Sequence, residues 1–242
     1  MLHVVTDVNR HLYETQLSEM HRQRYEEFVL RQGWNLRVRD GGEYDDGDDV
    51  RAVYLLTLDS MGACRSSIRI RPADDFSFMI DYMPEWIDGD AQALRSDPAL
   101  WEIARWMNPG GWKTGQELRI GLVEYLHSRG VTQAISCADL KVADHAISTG
   151  WRLKYLGNPR SYAEGKVAVA VSQPISSEEV EHLRGRFRRR DMFLIELPGN
   201  APWVDLPLPE IEREFRTAAA IASSTAELNA IADTLLRRLK GV

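Results

Sequence analysis

The sequence predicts an α/β protein in which a mixed sheet is covered by helices on both faces, with a helical extension at the C-terminus. Three observations predict it. Runs rich in Val, Tyr, Leu and Ile come first as a hairpin, 50–58 and 64–70 around a turn at Met61-Gly62. Strands and helices then alternate from residue 100 to 197. Beyond Pro198, Pro202, Pro207 and Pro209 the chain carries two amphipathic helical patterns, 210–222 and 225–240.

Each element has its own signal. Leu12, Leu17, Met20, Tyr25, Phe28 and Val29 recur on a helical period over 12–32, and Gly33 ends the run. An acidic loop follows at 40–49. The hairpin comes next, closed by Pro72. After a loop-rich stretch, 100–107 reads as a strand, and the turn Asn108-Pro109-Gly110-Gly111 opens a helix over 113–128 stopped by Gly130. A buried strand, 131–137, leads to a helix over 140–149 ended by Gly150. Strands 151–156 and 166–172, a basic helix 176–189 and a last strand 192–197 complete the pattern. Ser224 with Glu227 reads as a capping box for the final helix. Residues 1–200 are expected to form the functional domain, with 201–242 an appendage.

Composition narrows the function classes. The chain has 242 residues, 44% hydrophobic and 27% charged, enough for a real core. Its net charge of −6 argues against a general nucleic-acid binder. Cys64 and Cys137 are too few for a disulfide framework, and the six histidines lack metal-ligand spacing. Met1 to Arg10 lacks the basic start and apolar stretch of a signal peptide, and no run approaches the roughly 20 apolar residues that span a bilayer. These features predict a cytoplasmic, soluble protein without metal.

Several residues sit where a simple core does not require them. Arg24 and Phe28 are four apart on one helix face, with Trp34 just past the stop. A cation beside two rings can enclose a flat heteroaromatic such as adenine; the same trio also suits a core aromatic pair with a snorkelling arginine. Asp45 and Asp48 lie in the acidic loop, free to hold an ammonium, to brace arginines or simply to be solvated. Arg69 lies inside a strand. Glu102 and Arg105 lie in another, and their spacing of three sends them to opposite faces unless a bulge intervenes. Charges in such apolar strands need partners, because an unpaired buried ion costs several kcal/mol.

Together, Arg24-x3-Phe28-x5-Trp34-x10-Asp45-x2-Asp48, Arg69 before Pro72, and Trp101-Glu102-x2-Arg105 resemble the signature of the acyl-homoserine-lactone synthases, the autoinducer synthases of quorum sensing. The likeness continues in Gly150-Trp151 and Leu156-Gly157-Asn158-Pro159, and covers about residues 10–175. It implies a three-layer α-β-α sandwich similar to GNAT N-acyltransferases, its mixed sheet splayed at the centre by a bulge that can turn Glu102 and Arg105 to one site. It implies that Arg24, Phe28 and Trp34 shape a pocket for S-adenosylmethionine, that Asp45 holds its ammonium, and that Asp48, Arg69, Glu102 and Arg105 form a charged cluster. By the same likeness Met79, Trp106, Met107 and Ser136 belong to the acyl and pantetheine cleft, near the turn 108–114.

The implied reaction has no permanent cofactor. S-adenosylmethionine and an acyl thioester of acyl carrier protein or coenzyme A are the substrates. Glu102 is the expected base, directly or through one water, with Arg69 and Arg105 fixing geometry. A hydroxyl at Ser136 suits acyl chains oxidised at C3, or is satisfied by backbone. The basic run Arg184, Arg186, Arg188, Arg189 and Arg190 suits an acidic carrier protein or is a solvated helix face. Ala73 after Pro72 departs from the Thr usual in the family, and 76–83 matches its acyl-pocket region only loosely. Two rivals stay open: a GNAT-like N-acyltransferase for another amine, and an inactive sensor that keeps the S-adenosylmethionine pocket.

Overall fold

A computed structural model describes residues 1–109, 111–191 and 193–241. In chain order the strands are β1 Leu2–Val5, β2 Val38–Arg39, β3 Gly42–Glu43, β4 Val53–Leu58, β5 Cys64–Pro72 and β6 Leu100–Met107. They continue as β7 Gln133–Asp139, β8 Lys154–Tyr155, β9 Arg160–Ala163, β10 Lys166–Pro174 and β11 Leu194–Ile195. The α-helices are α1 Glu14–Arg24, α2 Phe78–Tyr82, α3 Trp112–Ser128, α4 Leu140–Ser148, α5 Ser177–Phe187, α6 Leu208–Ala219 and α7 Thr225–Lys240. Parallel and antiparallel pairs both occur, as expected of a mixed α/β sheet.

The chain divides into two compact units. The first comprises Met1–Ile68, Arg105–Gly121 and Arg190–Val242. Its strands run in the order β11-β1-β4-β5. β1 is antiparallel to β4, from Leu2↔Thr57 to Val5↔Tyr54, and parallel to β11, with Leu2↔Leu194. All four β1 residues are buried, yet four residues are too short to show a period, so the sequence pattern did not announce the strand. Gly121 of α3 explains how the helix sits so close to β1. A Cβ there would come within 2.0 Å of the Leu2 side chain. The C-terminal helices belong to this unit. Ile211, Phe215 and Ala218 of α6 and Leu228, Ala232 and Leu236 of α7 are buried, as is Trp203, whose indole N–H donates to Asp233 at 2.7 Å. Glu212 of α6 reaches His3 of β1 at 3.4 Å and pairs with Arg216. The tail is therefore built into its unit.

The second unit comprises Arg69–Ala104 and Leu122–Arg189. Its strand order is β5-β6-β7-β10-β8, with β9 also on β10. β6 and β7 pair in parallel from Leu100↔Gln133 to Glu102↔Ile135, while β7 stays antiparallel to β10 from Gln133 to Asp139. Ala143 of α4 packs with Val169 and Val171 of β10. A larger apolar cluster gathers Ala73, Met79, Ile80, Trp86, Ile87, Leu100, Ile135 and Ala170.

Local chemistry explains where elements stop short of the expected bounds. β4 begins at Val53 because the Asp49 carboxylate accepts the amides of Arg51 (2.9 Å) and Ala52 (3.1 Å), holding a turn. α5 ends at Phe187 because Arg188 adopts φ +53°, a left-handed cap. The strand expected at 151–156 is reduced to β8, and β9 is an addition. Ser224 caps α7 through the Glu227 amide at 3.2 Å, but the Glu227 carboxylate turns to Ser223, one residue outside the expected box. Gly110 of the predicted turn and Met192 at the start of the predicted last strand lie outside the described residues. No described helix is long and apolar enough to cross a membrane.

Candidate active site

The aromatic part of the site is made by the way the first helix ends. The expected helix over 12–32 is a 3-10 turn, Arg10–Tyr13, then α1, then a π-helical segment, Tyr25–Arg31. Such widened turns are frequent at functional sites. Gly33 at φ +73° reverses the chain, and the Trp34 amide donates back to the Phe28 carbonyl at 2.9 Å. Trp34 thereby stacks on Phe28, ring centroids 5.1 Å apart and planes 10° from parallel.

A charged cluster adjoins the rings. Arg24, fully buried, donates through both terminal nitrogens to Asp48 at 2.7 and 2.8 Å, and through Nε to Glu43 at 2.6 Å. Asp48 also accepts the Tyr54 hydroxyl at 2.9 Å and the Asp45 amide at 2.9 Å. On the other side of Glu43, Arg105 donates at 3.0 Å and pairs with Asp45 at 2.7 Å, its guanidinium 5.8 Å from the Phe28 ring centre. Charge-assisted, two-pronged contacts of this kind hold geometry firmly. Arg105 adopts φ +52°, a left-handed residue inside β6. That kink costs on the order of 1–2 kcal/mol and is offset by its two carboxylate partners.

Glu43 was not singled out in the sequence, yet it is 0% exposed and bridges both arginines. Nothing in the sequence sets it apart from the other acids of 40–49. The β2–β3 hairpin delivers Glu43, and His21 of α1 holds it. The His21 ring bonds the Glu43 carbonyl at 2.9 Å and stacks on Tyr44 at 3.9 Å. Gly42 permits this approach, since a Cβ there would lie 2.9 Å from the Tyr44 ring and 3.0 Å from His21.

Burial, reinforced by the nearby Arg24 charge, pushes the His21 pKa down to about 4. Its unfolded value is near 6.5, so between those limits the unfolded chain binds more protons than the folded one. Stability therefore falls as pH drops from 6.5 towards 4, by roughly 3 kcal/mol from this group. Burial lowers His3 in the same direction. Melting temperatures across pH 5–6.5 should show a steep loss in the wild type and a shallower one in His21→Gln. Equal slopes would contradict a buried neutral ring.

Glu102 belongs to the second unit and is 4% exposed. One carboxylate oxygen accepts the Phe78 amide at 2.8 Å and the other the Met79 amide at 2.9 Å, at the start of α2. Arg69 is buried in β5 at 3% exposure. Met79 lies in the large apolar cluster with Cys137 beside it. Ser136 is half-buried in β7 opposite Val171. In the first unit Met107 is buried and Trp106 half-buried. The turn before α3 is closed by Thr114, whose hydroxyl donates to Asn108 at 2.9 Å. In the basic run, Arg184 pairs with Glu124. The structure thus gathers Arg24, Phe28, Trp34, Asp45, Asp48 and Arg105 around Glu43. Asp48 is tied to Arg24.

Solved structures define the class. A CoA-dependent acyl-homoserine lactone synthase solved with S-adenosylmethionine and isopentyl-CoA superposes with a TM-score of 0.72 at 26% identity, covering 82% of this chain and 93% of that one. A second CoA-dependent acyl-homoserine lactone synthase gives 0.69 at 25% identity, over 80% of this chain and 98% of its own. In sequence, the isovaleryl-homoserine lactone synthase of Bradyrhizobium diazoefficiens is 28% identical over 190 residues, 77% of this chain and 85% of the relative. The autoinducer synthase model matches residues 9–183, and the chain belongs to that family.

Proposed function

We propose that this chain acylates the α-amine of S-adenosylmethionine from an acyl thioester and closes the product to an N-acyl-L-homoserine lactone, releasing methylthioadenosine. The observation that carries this reading is the cluster of Arg24, Glu43, Asp45, Asp48 and Arg105 beside the Phe28–Trp34 stack. The carboxylates of Glu43, Asp45 and Asp48 gather beside the ring stack, a setting that suits a cation. S-adenosylmethionine brings an ammonium and a sulfonium, and its adenine suits the rings. Asp45 takes the ammonium; Arg24, Glu43 and Asp48 hold the wall.

In the first step the neutral amine attacks the thioester carbonyl, the C–N bond forms, the C–S bond breaks, and the thiolate takes a proton. An α-amine with a pKa near 8 needs only about 1.4 kcal/mol to lose its proton at pH 7. A weak base suffices, and Glu102, already accepting two amides, is the residue we assign to that proton. In the second step the carboxylate oxygen attacks the γ-carbon and the sulfonium leaves as methylthioadenosine. No further group is required, because ring closure depends on holding the substrate folded. The acyl donor is a coenzyme A or acyl-carrier-protein thioester, with Met79, Trp106, Met107 and Ser136 along its path. Both substrates are cytoplasmic metabolites, and we place the protein in the cytoplasm.

Purified enzyme given S-adenosylmethionine and a series of acyl thioesters should release free thiol and methylthioadenosine in equal amounts. Thiol without methylthioadenosine would point instead to simple N-acylation. Asp45→Asn should weaken S-adenosylmethionine about tenfold, the loss of one charge-assisted contact. Calorimetric titration checks this, and an unchanged Kd would remove Asp45 from the ammonium site.

A further inference from the structure

The contacts of Glu102 do more than place a base. Its two carboxylate oxygens accept the amides of Phe78 and Met79, the first two residues of α2. A helix this short, Phe78–Tyr82, leaves its first amides without intrahelical partners, so groups outside it must satisfy them. Ser77 also restrains its start. The Ser77 hydroxyl, fully buried, accepts the Ile80 amide at 3.2 Å, and the Ser77 amide donates to Asp81 at 3.0 Å. Between them, Glu102 and Ser77 satisfy the first three amides of α2.

What α2 carries is apolar. Met79 and Ile80 are 1% and 0% exposed and pack with Ala73, Trp86, Leu100 and Ile135, with Cys137 and Tyr162 against the same cluster. Burial together with the Glu102 charge pushes the Cys137 thiol up to about 12, so it stays protonated and behaves as a small apolar group. Glu102 thus touches the apolar cluster through α2.

We infer that Glu102 is a specificity-determining positioning residue as well as the base: through the Phe78 and Met79 amides it sets where α2 places Met79 and Ile80 against the acyl chain. This rests on the lactone-synthase reading of the site. A base alone acts on the amine and is indifferent to the tail of the donor. A carboxylate that anchors the pocket wall is not. A wall side chain displaced by a methylene's width alters discrimination between donors by about tenfold.

Competition assays with butyryl-, isovaleryl- and octanoyl-coenzyme A test the inference, using the ratios of kcat/KM. Ser77→Ala leaves Glu102 untouched but frees the Ile80 amide; it should change the butyryl-to-octanoyl ratio by at least about fivefold. Ser77→Thr keeps the hydroxyl and should return the ratio to within about twofold of wild type. Glu102→Gln should lower turnover on every donor and move the ratio in the same direction as Ser77→Ala. Circular dichroism confirms that each variant is folded. Ratios within twofold of wild type in both Ser77→Ala and Glu102→Gln would overturn the inference while leaving the lactone-synthase reading intact. No lactone from wild type with any of these, nor with longer, aryl or carrier-protein thioesters, would overturn both.

Discussion

Glu43→Gln should be the most damaging single-atom change in the molecule. The carboxylate is fully buried and accepts from Arg24 and Arg105 at once. An amide retains one acceptor and turns a donor towards guanidinium N–H groups, leaving two buried cations underpaired. Breaking a buried ion pair from one side costs about 3–5 kcal/mol. In a chain of this size that lowers Tm by roughly 10 °C. The functional loss should be larger still, since Arg105 then loses one of the two carboxylates that stabilise its left-handed conformation, and Asp45 moves with it. Thermal melts with and without S-adenosylmethionine measure both effects. The variant should melt early and gain little from the ligand. A wild-type Tm, or wild-type stabilisation by S-adenosylmethionine, would show that the Glu43 bridge does not hold the pocket.

Glu102→Gln should leave a folded protein that turns over at least about a hundredfold more slowly, the usual scale for losing a general base. Glutamine keeps one oxygen for an amide of α2 and gives up both the second anchoring contact and the proton acceptor. The Kd for S-adenosylmethionine should change little, because the ammonium is assigned to Asp45. Raising the pH should partly rescue the variant, as more of the amine is already deprotonated above its pKa near 8. Turnover near wild type at pH 7 would remove Glu102 from the proton transfer.

Much of this site was legible in the sequence because its parts are local. Arg24 and Phe28 share a helix face by their spacing, and Gly33 marks where Trp34 must fold back. The conflict at Glu102 and Arg105 was legible as two charges at odd spacing in an apolar strand, and Arg105 adopts φ +52° there. Glu43 was not legible. It stands among many acids, and only the two-residue pairing of β2 with β3 buries it. His21 was hidden for a related reason, since its packing depends on the absent side chain of Gly42. The α/β class and the strands β4, β5, β6, β7 and β10 followed from alternation and turn residues. β1, β3, α2 and the π-helical segment did not, because elements of two to seven residues carry no period strong enough to read. The contacts of Glu102 with α2 also lie beyond any spacing rule, joining positions 24 and 23 residues apart.

The most direct measurement is mass spectrometry of culture extracts from a bacterium that makes no lactone of its own, expressing either this chain or its Glu102→Gln variant. A homoserine-lactone ion with the wild type, and at most a trace with the variant, is the expected result, and the mass of the ion gives the acyl group. Purified enzyme supplied with S-adenosylmethionine and a panel of fatty, branched and aryl thioesters covers donors the host lacks. Amide formation without a lactone, or no product with any donor from soluble protein, would contradict the assignment.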